Sequence, residues 1–154
     1  MRSVHRGGRE VKHTGDGIMA SFVSTVAAVR CAIRIQRALA AHEQTNKEVP
    51  VKVRIGAAAG EPVENHLDLF GSTVQLAARL CSHAEPEQSL VSNAVAELCL
   101  GKGLTFQDLG EVLLKGSLAL SEYMLSNSAA ARGSRRSVAK LTVDLPSSPP
   151  LGMR

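Results

Sequence analysis

The sequence predicts an α+β sandwich in which helices form a layer on a sheet, and three observations lead to it. Short runs that alternate with period two are interleaved with stretches of helical period. Gly15-Asp16-Gly17 divides two extended runs, the pattern of a tight hairpin. VKVRIGAAAG (51–60) sets Val51, Val53, Ile55 and Ala57 against Lys52 and Arg54, as a half-buried strand requires. At 154 residues the chain makes one small domain, and with 44% hydrophobic but 3% aromatic residues and no Trp its core must rest on Val, Leu, Ile and Ala.

The elements follow in order. Residues 9–14 and 18–22 read as the hairpin strands, with Asp16 on the turn between them. From Thr25 to about His42 the chain reads as a helix capped by Ser24, with Ala28, Ala32, Ile35 and Leu39 on one face and Arg30, Arg34 and Arg37 on a solvated one. A turn from Gly60 to Asp68 leads to a second helix from Ser72 to about Ser82. Beyond Pro86 the pattern predicts a strand near Leu90, a helix from Asn93 to Leu98, and strands at 104–108, 111–114 and 122–125. Residues 1–126 are thus read as the domain. Residues 127–154, rich in Ser, Ala, Arg and Pro, read as a disordered basic tail, with LTVDL its one run able to add a strand.

Charge and cysteine content narrow the function. The tail holds five basic residues (Arg132, Arg135, Arg136, Lys140, Arg154) against Asp144, so the formal +4 lies there and residues 1–126 carry 13 charges of each sign. A neutral folded part argues against a nucleic-acid partner. Cys31, Cys81 and Cys99 are odd in number and lack metal spacing, as in a reduced cytoplasmic protein. No apolar run approaches the ~20 residues of a membrane span, and the N-terminus lacks a signal-peptide core.

Taken singly, the candidate chemical residues are ambiguous. Asp16 in a D-G turn is common for local hydrogen bonding alone. Gln75 and Arg79, with Ser72, form a polar stripe on an otherwise apolar helix, fit for an interface or a phosphate. Lys115 precedes Gly116, where backbone can approach a ligand, yet it reads equally as a strand-end surface lysine. Together, Lys12, Asp16, Asp68, Gln75 and Arg79 suit a triphosphate, with a carboxylate for metal at one end and an Arg for phosphate.

Their joint order carries more. K-x-x-x-D from Lys12 to Asp16, the D-x-F-G-x-x-V-Q-x-A-x-R run from Asp68 to Arg79, E-P-x-x-x-x-x-V-S from Glu85 to Ser92, and L-G-E-V-x-L-K-G from Leu109 to Gly116 resemble the class III adenylate/guanylate cyclase catalytic domain. The resemblance covers Gly7 to Leu125 and implies a ferredoxin-like nucleotide cyclase sandwich acting as a head-to-tail homodimer in intracellular signalling, with sites at the interface. It implies ATP as substrate, converted to cyclic AMP and pyrophosphate, with two divalent ions, Mg2+ or Mn2+, aiding in-line attack of the 3′-hydroxyl on the α-phosphorus. By position, Asp16 matches the second of two metal aspartates, Lys12 and Asp68 the pair that reads adenine, Arg79 the arginine that stabilises charge on the pentacoordinate phosphorus, and Lys115 the lysine on the outgoing phosphates. In such a dimer Lys12 and Asp16 serve different sites.

Two departures from the family pattern bear on activity. Gln75 stands where Asn is usual, one methylene longer, and a displacement of about 1 Å in a positioning residue can lower a rate on the order of a hundredfold. The family's opening strand, F-x-D-(I/L)-x-G with the first metal aspartate, and its two following helices have no counterpart. The expectation is therefore an inactive chain as written, or a non-catalytic cyclase-like module for dimerisation or nucleotide binding. A further expectation is that Val11, Ile18, Val51, Val53 and Ile55 are left at unpaired edges or on exposed apolar surface.

Overall fold

The structure is a computed structural model, and it describes residues 3–4, 7–48, 50–61, 63–65, 68–112, 120–125 and 139–144. Near the N-terminus lie β1 (Ser3–Val4), β2 (Gly8–Thr14) and β3 (Gly17–Phe22), followed by α1 (Thr25–Thr45) and β4 (Arg54–Ala59). Then come β5 (Val63–Asn65), β6 (Asp68–Phe70), α2 (Ser72–His83), β7 (Ser89–Ser92) and α3 (Asn93–Leu98). The last described strands are β8 (Phe106–Val112), β9 (Leu120–Leu125) and β10 (Ala139–Asp144). Eight strands form one sheet in the order β1-β2-β3-β10-β4-β7-β9-β8, while β5 and β6 form a separate antiparallel pair.

Local signals placed most of the elements. Ser24 caps α1, its hydroxyl accepting from the Ala27 N–H at 3.3 Å. Gly15, with φ of 67°, closes the β2–β3 hairpin. Two expected strands at 104–108 and 111–114 are instead the single strand β8. Its register against β9 shifts between Asp108 and Gly110, and the Asp108 carboxylate accepts the Gly110 N–H at 2.8 Å, so the chain bulges where it was expected to break. The expected turn at 60–68 likewise contains β5 and the first residue of β6.

The sheet is covered on both faces, not by a single helical layer. Along β4, Ile55 and Ala57 join one buried cluster with Ala28, Val29, Ala32 and Ile33 of α1 and Val95 and Ala96 of α3. Ala58, on the opposite side of the pleat, belongs to a second cluster with Ala77 and Leu80 of α2. The alternation of 51–57 therefore describes only part of a strand that is buried on both sides from Ile55 to Ala58.

The principal correction concerns the middle of the sheet. Residues 139–144, inside the segment expected to be disordered, form β10, which pairs antiparallel with β3 from Ala139↔Phe22 to Asp144↔Gly17 and with β4 from Ala139↔Ala59 to Asp144↔Arg54. The LTVDL run adds the strand after all, because the edges of β3 and β4 offer its backbone pairing on both sides. Val53 and Ile55 are accordingly 1% and 0% exposed, and Val11, Ile18 and Val51 are half-buried. The other residues of 127–154 lie outside the described ones.

The helix faces differ from expectation in one more way. Arg34 and Arg37 are exposed, but Arg30 is half-buried, with one guanidinium nitrogen buried without a hydrogen-bond partner. Gln36 is buried and ties α1 to the sheet: its Nε2 donates to the Val53 carbonyl (3.3 Å), the Gln88 carbonyl (3.2 Å) and the Ser89 hydroxyl (3.3 Å). A side-chain amide reads as surface in sequence and here organises the approach to β4 and β7.

Two outcomes are expected. Gln36→Ala lowers stability by about 1–3 kcal/mol by removing shared donors from buried acceptors, read as a fall of roughly 3–10 °C in Tm; an unchanged Tm would show the network to be idle. Burial pushes the Cys99 thiol up to about 11, with Arg30 opposing. The unfolded chain then loses this proton at lower pH than the folded one, so the thiol's contribution, complete below the ordinary thiol range, drains away as pH rises towards 11. Denaturant titrations should show an alkaline decline in stability that Cys99→Ala flattens.

Candidate functional site

The β2–β3 hairpin carries two of the candidates. Lys12 is half-buried and pairs with Met19 directly after a register shift between Glu10 and Lys12. Such a bulge re-aims the following side chain, a device frequent beside active sites. The Glu10 carboxylate meets His13 Nε2 at 2.7 Å on the same strand. Asp16 is exposed on the turn itself.

The other candidates come from the segment after β4. Asp68 is the first residue of β6, in register with Asn65 of β5, and β6 lies against both β2 and α2. The strands of Lys12 and Asp68 are thus neighbours, and β6 runs directly into the helix of Gln75 and Arg79. Gly71 joins them with φ of 112°, a conformation essentially confined to glycine, and its carbonyl accepts the Gln75 N–H at 3.1 Å to start the helix. Gln75 is exposed and Arg79 half-buried, one turn or about 6 Å further along the same face. Lys115 lies outside the described residues.

What holds α2 in place is Gly56, a residue with no side-chain chemistry of its own. A Cβ there would run into the Ala77 carbonyl and the Cys81 N–H of α2, so only glycine admits the helix this close to β4. The Cys81 thiol donates to the Arg54 carbonyl at 3.3 Å across the same contact. An isolated glycine within a Val/Ile/Ala strand was the available signal.

Asp16 offers a hard oxygen donor of the kind Mg2+ and Mn2+ prefer, but no group of three or more His, Cys, Asp or Glu poised for a metal occurs among the described residues. A lone exposed carboxylate does not make a divalent-cation site. Nor is any described helix long and apolar enough to cross a membrane.

A mixed sheet with helices on both faces, a bulged hairpin with an acidic turn, and a polar stripe on a glycine-seated helix define a nucleotide cyclase type of α+β domain. Residues 3–127 match the family described as the adenylate and guanylate cyclase catalytic domain, and the chain belongs to that family. A crystal structure of an adenylate/guanylate cyclase/hydrolase from Silicibacter pomeroyi is 36% identical, with a TM-score of 0.70 over 77% of this chain and 72% of that one. A Rhizobium meliloti (strain 1021) protein with an adenylate cyclase name is 36% identical over 70% of this chain and 18% of its own length. An adenylate cyclase of Streptomyces coelicolor (strain ATCC BAA-471 / A3(2) / M145) is 37% identical over 60% and 23%. The chain thus matches about a fifth of the length of these curated relatives.

The seating of α2 is testable. Gly56→Ala should displace the helix, lower stability by about 1–3 kcal/mol and weaken any nucleotide binding that depends on Arg79. Gly56→Ala with natural Tm and binding would remove Gly56 from the account.

Proposed function

We propose that this chain is the base- and phosphate-binding part of an adenylate cyclase-type domain that converts ATP to cyclic AMP and pyrophosphate in intracellular signalling, at the interface of a head-to-tail dimer. One observation carries the proposal most: β6, which begins with Asp68, lies against the Lys12 strand and leads directly into α2 with Gln75 and Arg79. Base-reading and phosphate-reading residues of the matching motifs thus occupy adjoining elements. The adenylate cyclase names of both curated relatives favour ATP.

In the reaction a bond forms between the 3′-oxygen and the α-phosphorus, the α–β bridging bond breaks, pyrophosphate leaves with the bonding pair, and the hydroxyl proton passes to solvent. Lys12 donates to a ring nitrogen of adenine and Asp68 accepts from its amino group. Arg79, cationic at any physiological pH, stabilises the charge that gathers on the equatorial oxygens, while Lys115 holds the departing phosphates. Gln75 positions the ribose end. Divalent ions would neutralise the phosphates and activate the hydroxyl; Asp16 matches a metal-donor position, serving the nucleotide bound mainly by the partner.

The 154 residues alone should therefore give little or no cyclic AMP with Mg2+ or Mn2+, while still binding ATP in preference to GTP. In a protein that joins this domain to a strand of the form F-x-D-(I/L)-x-G, cyclic AMP should form, and Arg79→Ala should lower kcat about 10²–10³-fold with less change in KM. Natural turnover by Arg79→Ala, or equal binding of ATP and GTP by the 154 residues, would refute the assignment.

A further inference from the structure

The β2–β3 hairpin is fixed at both ends, and the two ends disagree by one residue. Next to the turn, Thr14 pairs with Gly17, His13 with Ile18 and Lys12 with Met19; at the far end, Glu10 pairs with Ala20, Arg9 with Ser21 and Gly8 with Phe22. A regular ladder counted from the turn would set Arg9, not Gly8, opposite Phe22. Packing holds the far end where it is. Phe22 is buried in the larger cluster, and its ring lies so close over Gly8 that a Cβ there would overlap it. The seven residues of β2 therefore face six of β3, and Val11 is the one left over.

The extra residue decides which face each side chain takes. Residues directly opposite one another share a face, so Glu10 and His13 stand with Ala20 and Ile18 on the side of the larger cluster. Lys12 stands with Met19 on the other side, the one covered by α2. In a regular strand, residues three apart point to opposite faces and are separated by about 10 Å. Here the Glu10 carboxylate and His13 Nε2 meet at 2.7 Å. Only the bulge permits that contact, and the contact closes the bulge from behind while Lys12 is presented in front.

Val11 adds little to the fold itself. It is half-buried, belongs to neither buried cluster and has no partner in the register. Without it the ladder would run six on six, from Gly8 opposite Phe22 to Thr14 opposite Gly17, with every described pair kept. What the residue contributes is the added twist and bend of a bulge, placed immediately before Lys12. β6, the strand that begins with Asp68, lies against this same strand.

We propose that Val11 and the Glu10–His13 pair are positioning residues for nucleotide selection: the bulge aims Lys12, and the pair fixes the shape of the bulge. The inference rests on the reading of Lys12 as a residue that meets the base. It adds that the aim of Lys12, and not its presence alone, separates ATP from GTP.

The test measures ATP and GTP binding and Tm on the full chain. Deletion of Val11 should keep Tm within about 3 °C of the natural value, since no pair of the ladder is lost. ATP affinity should fall about tenfold while GTP affinity holds, as expected when a positioned donor is displaced. Lys12→Ala should show the same selective loss, and the deletion added to Lys12→Ala should cost nothing more. His13→Ala should weaken ATP binding about threefold, and His13→Gln, which keeps a donor for Glu10, should recover most of it. Natural ATP binding by Lys12→Ala would overturn the base-reading assignment and this inference with it. Weakened ATP binding by Lys12→Ala beside a natural ATP-to-GTP ratio in the deletion would overturn this inference alone, as would equal weakening of both nucleotides by the deletion. If the shortened chain does not fold, His13→Ala, at an exposed position, decides the matter: a lowered ATP-to-GTP ratio supports the proposal and a natural one overturns it.

Discussion

The rest of the structure depends on the double pairing of β10. Strands β3 and β4 are separated in sequence by the whole of α1, and no hydrogen bond of the sheet joins them to each other; both are joined to β10. Each buried backbone group along two six-residue edges needs a partner, and an unmade bond costs more than a made one contributes net. A segment with modest hydrophobicity can therefore be drawn into the centre of a domain by what its absence would expose. The hydrophobic core that packs on this sheet, from Phe22 through Val29 to Ile55, is coherent only once the sheet is continuous.

The site elements hang from that platform at two places. The Asp16 turn is the free end of the hairpin whose second strand β10 holds in place. The α2 helix, with Gln75 and Arg79, rests against β4 through Gly56 and reaches β10 as well. Sheet continuity and site geometry are hence coupled: a shift of β4 relative to β3 would change the relation of the helix to the hairpin. The bulge before Lys12 and the positive φ of Gly71 are local adjustments on this frame, one aiming a side chain and the other turning a strand into a helix.

Much of the fold was legible because its signals are local. Ser24 before an apolar helix, Gly15-Asp16-Gly17 between two extended runs, and Asn93 to Leu98 all state their structure within a few residues. The misreadings have a common cause. Gly110 looked like a strand break and is a bulge, since pairing with β9 continues past it. Arg30 looked solvated and is half-buried, and Gln36, which no local signal singled out, is bonded to residues 17, 52 and 53 positions away. In each case a distant element determined the environment, and nothing within the residue's own window reports it.

By itself the sequence determined the family, through four motifs in order from Lys12 to Gly116, and it determined which residue types stand at the candidate site. Those are matters of identity and spacing along one chain. Only the tertiary structure decided that the sheet is continuous, that helices cover both of its faces, and that a segment read as tail is its central strand. Residues 139–144 have no strong strand signal of their own, because what places them is the pair of edges offered by β3 and β4, whose last residues lie 117 and 80 positions back (139 − 22 and 139 − 59). Hydrogen-bond demand of that range is a property of the folded whole, and composition near Leu141 cannot express it.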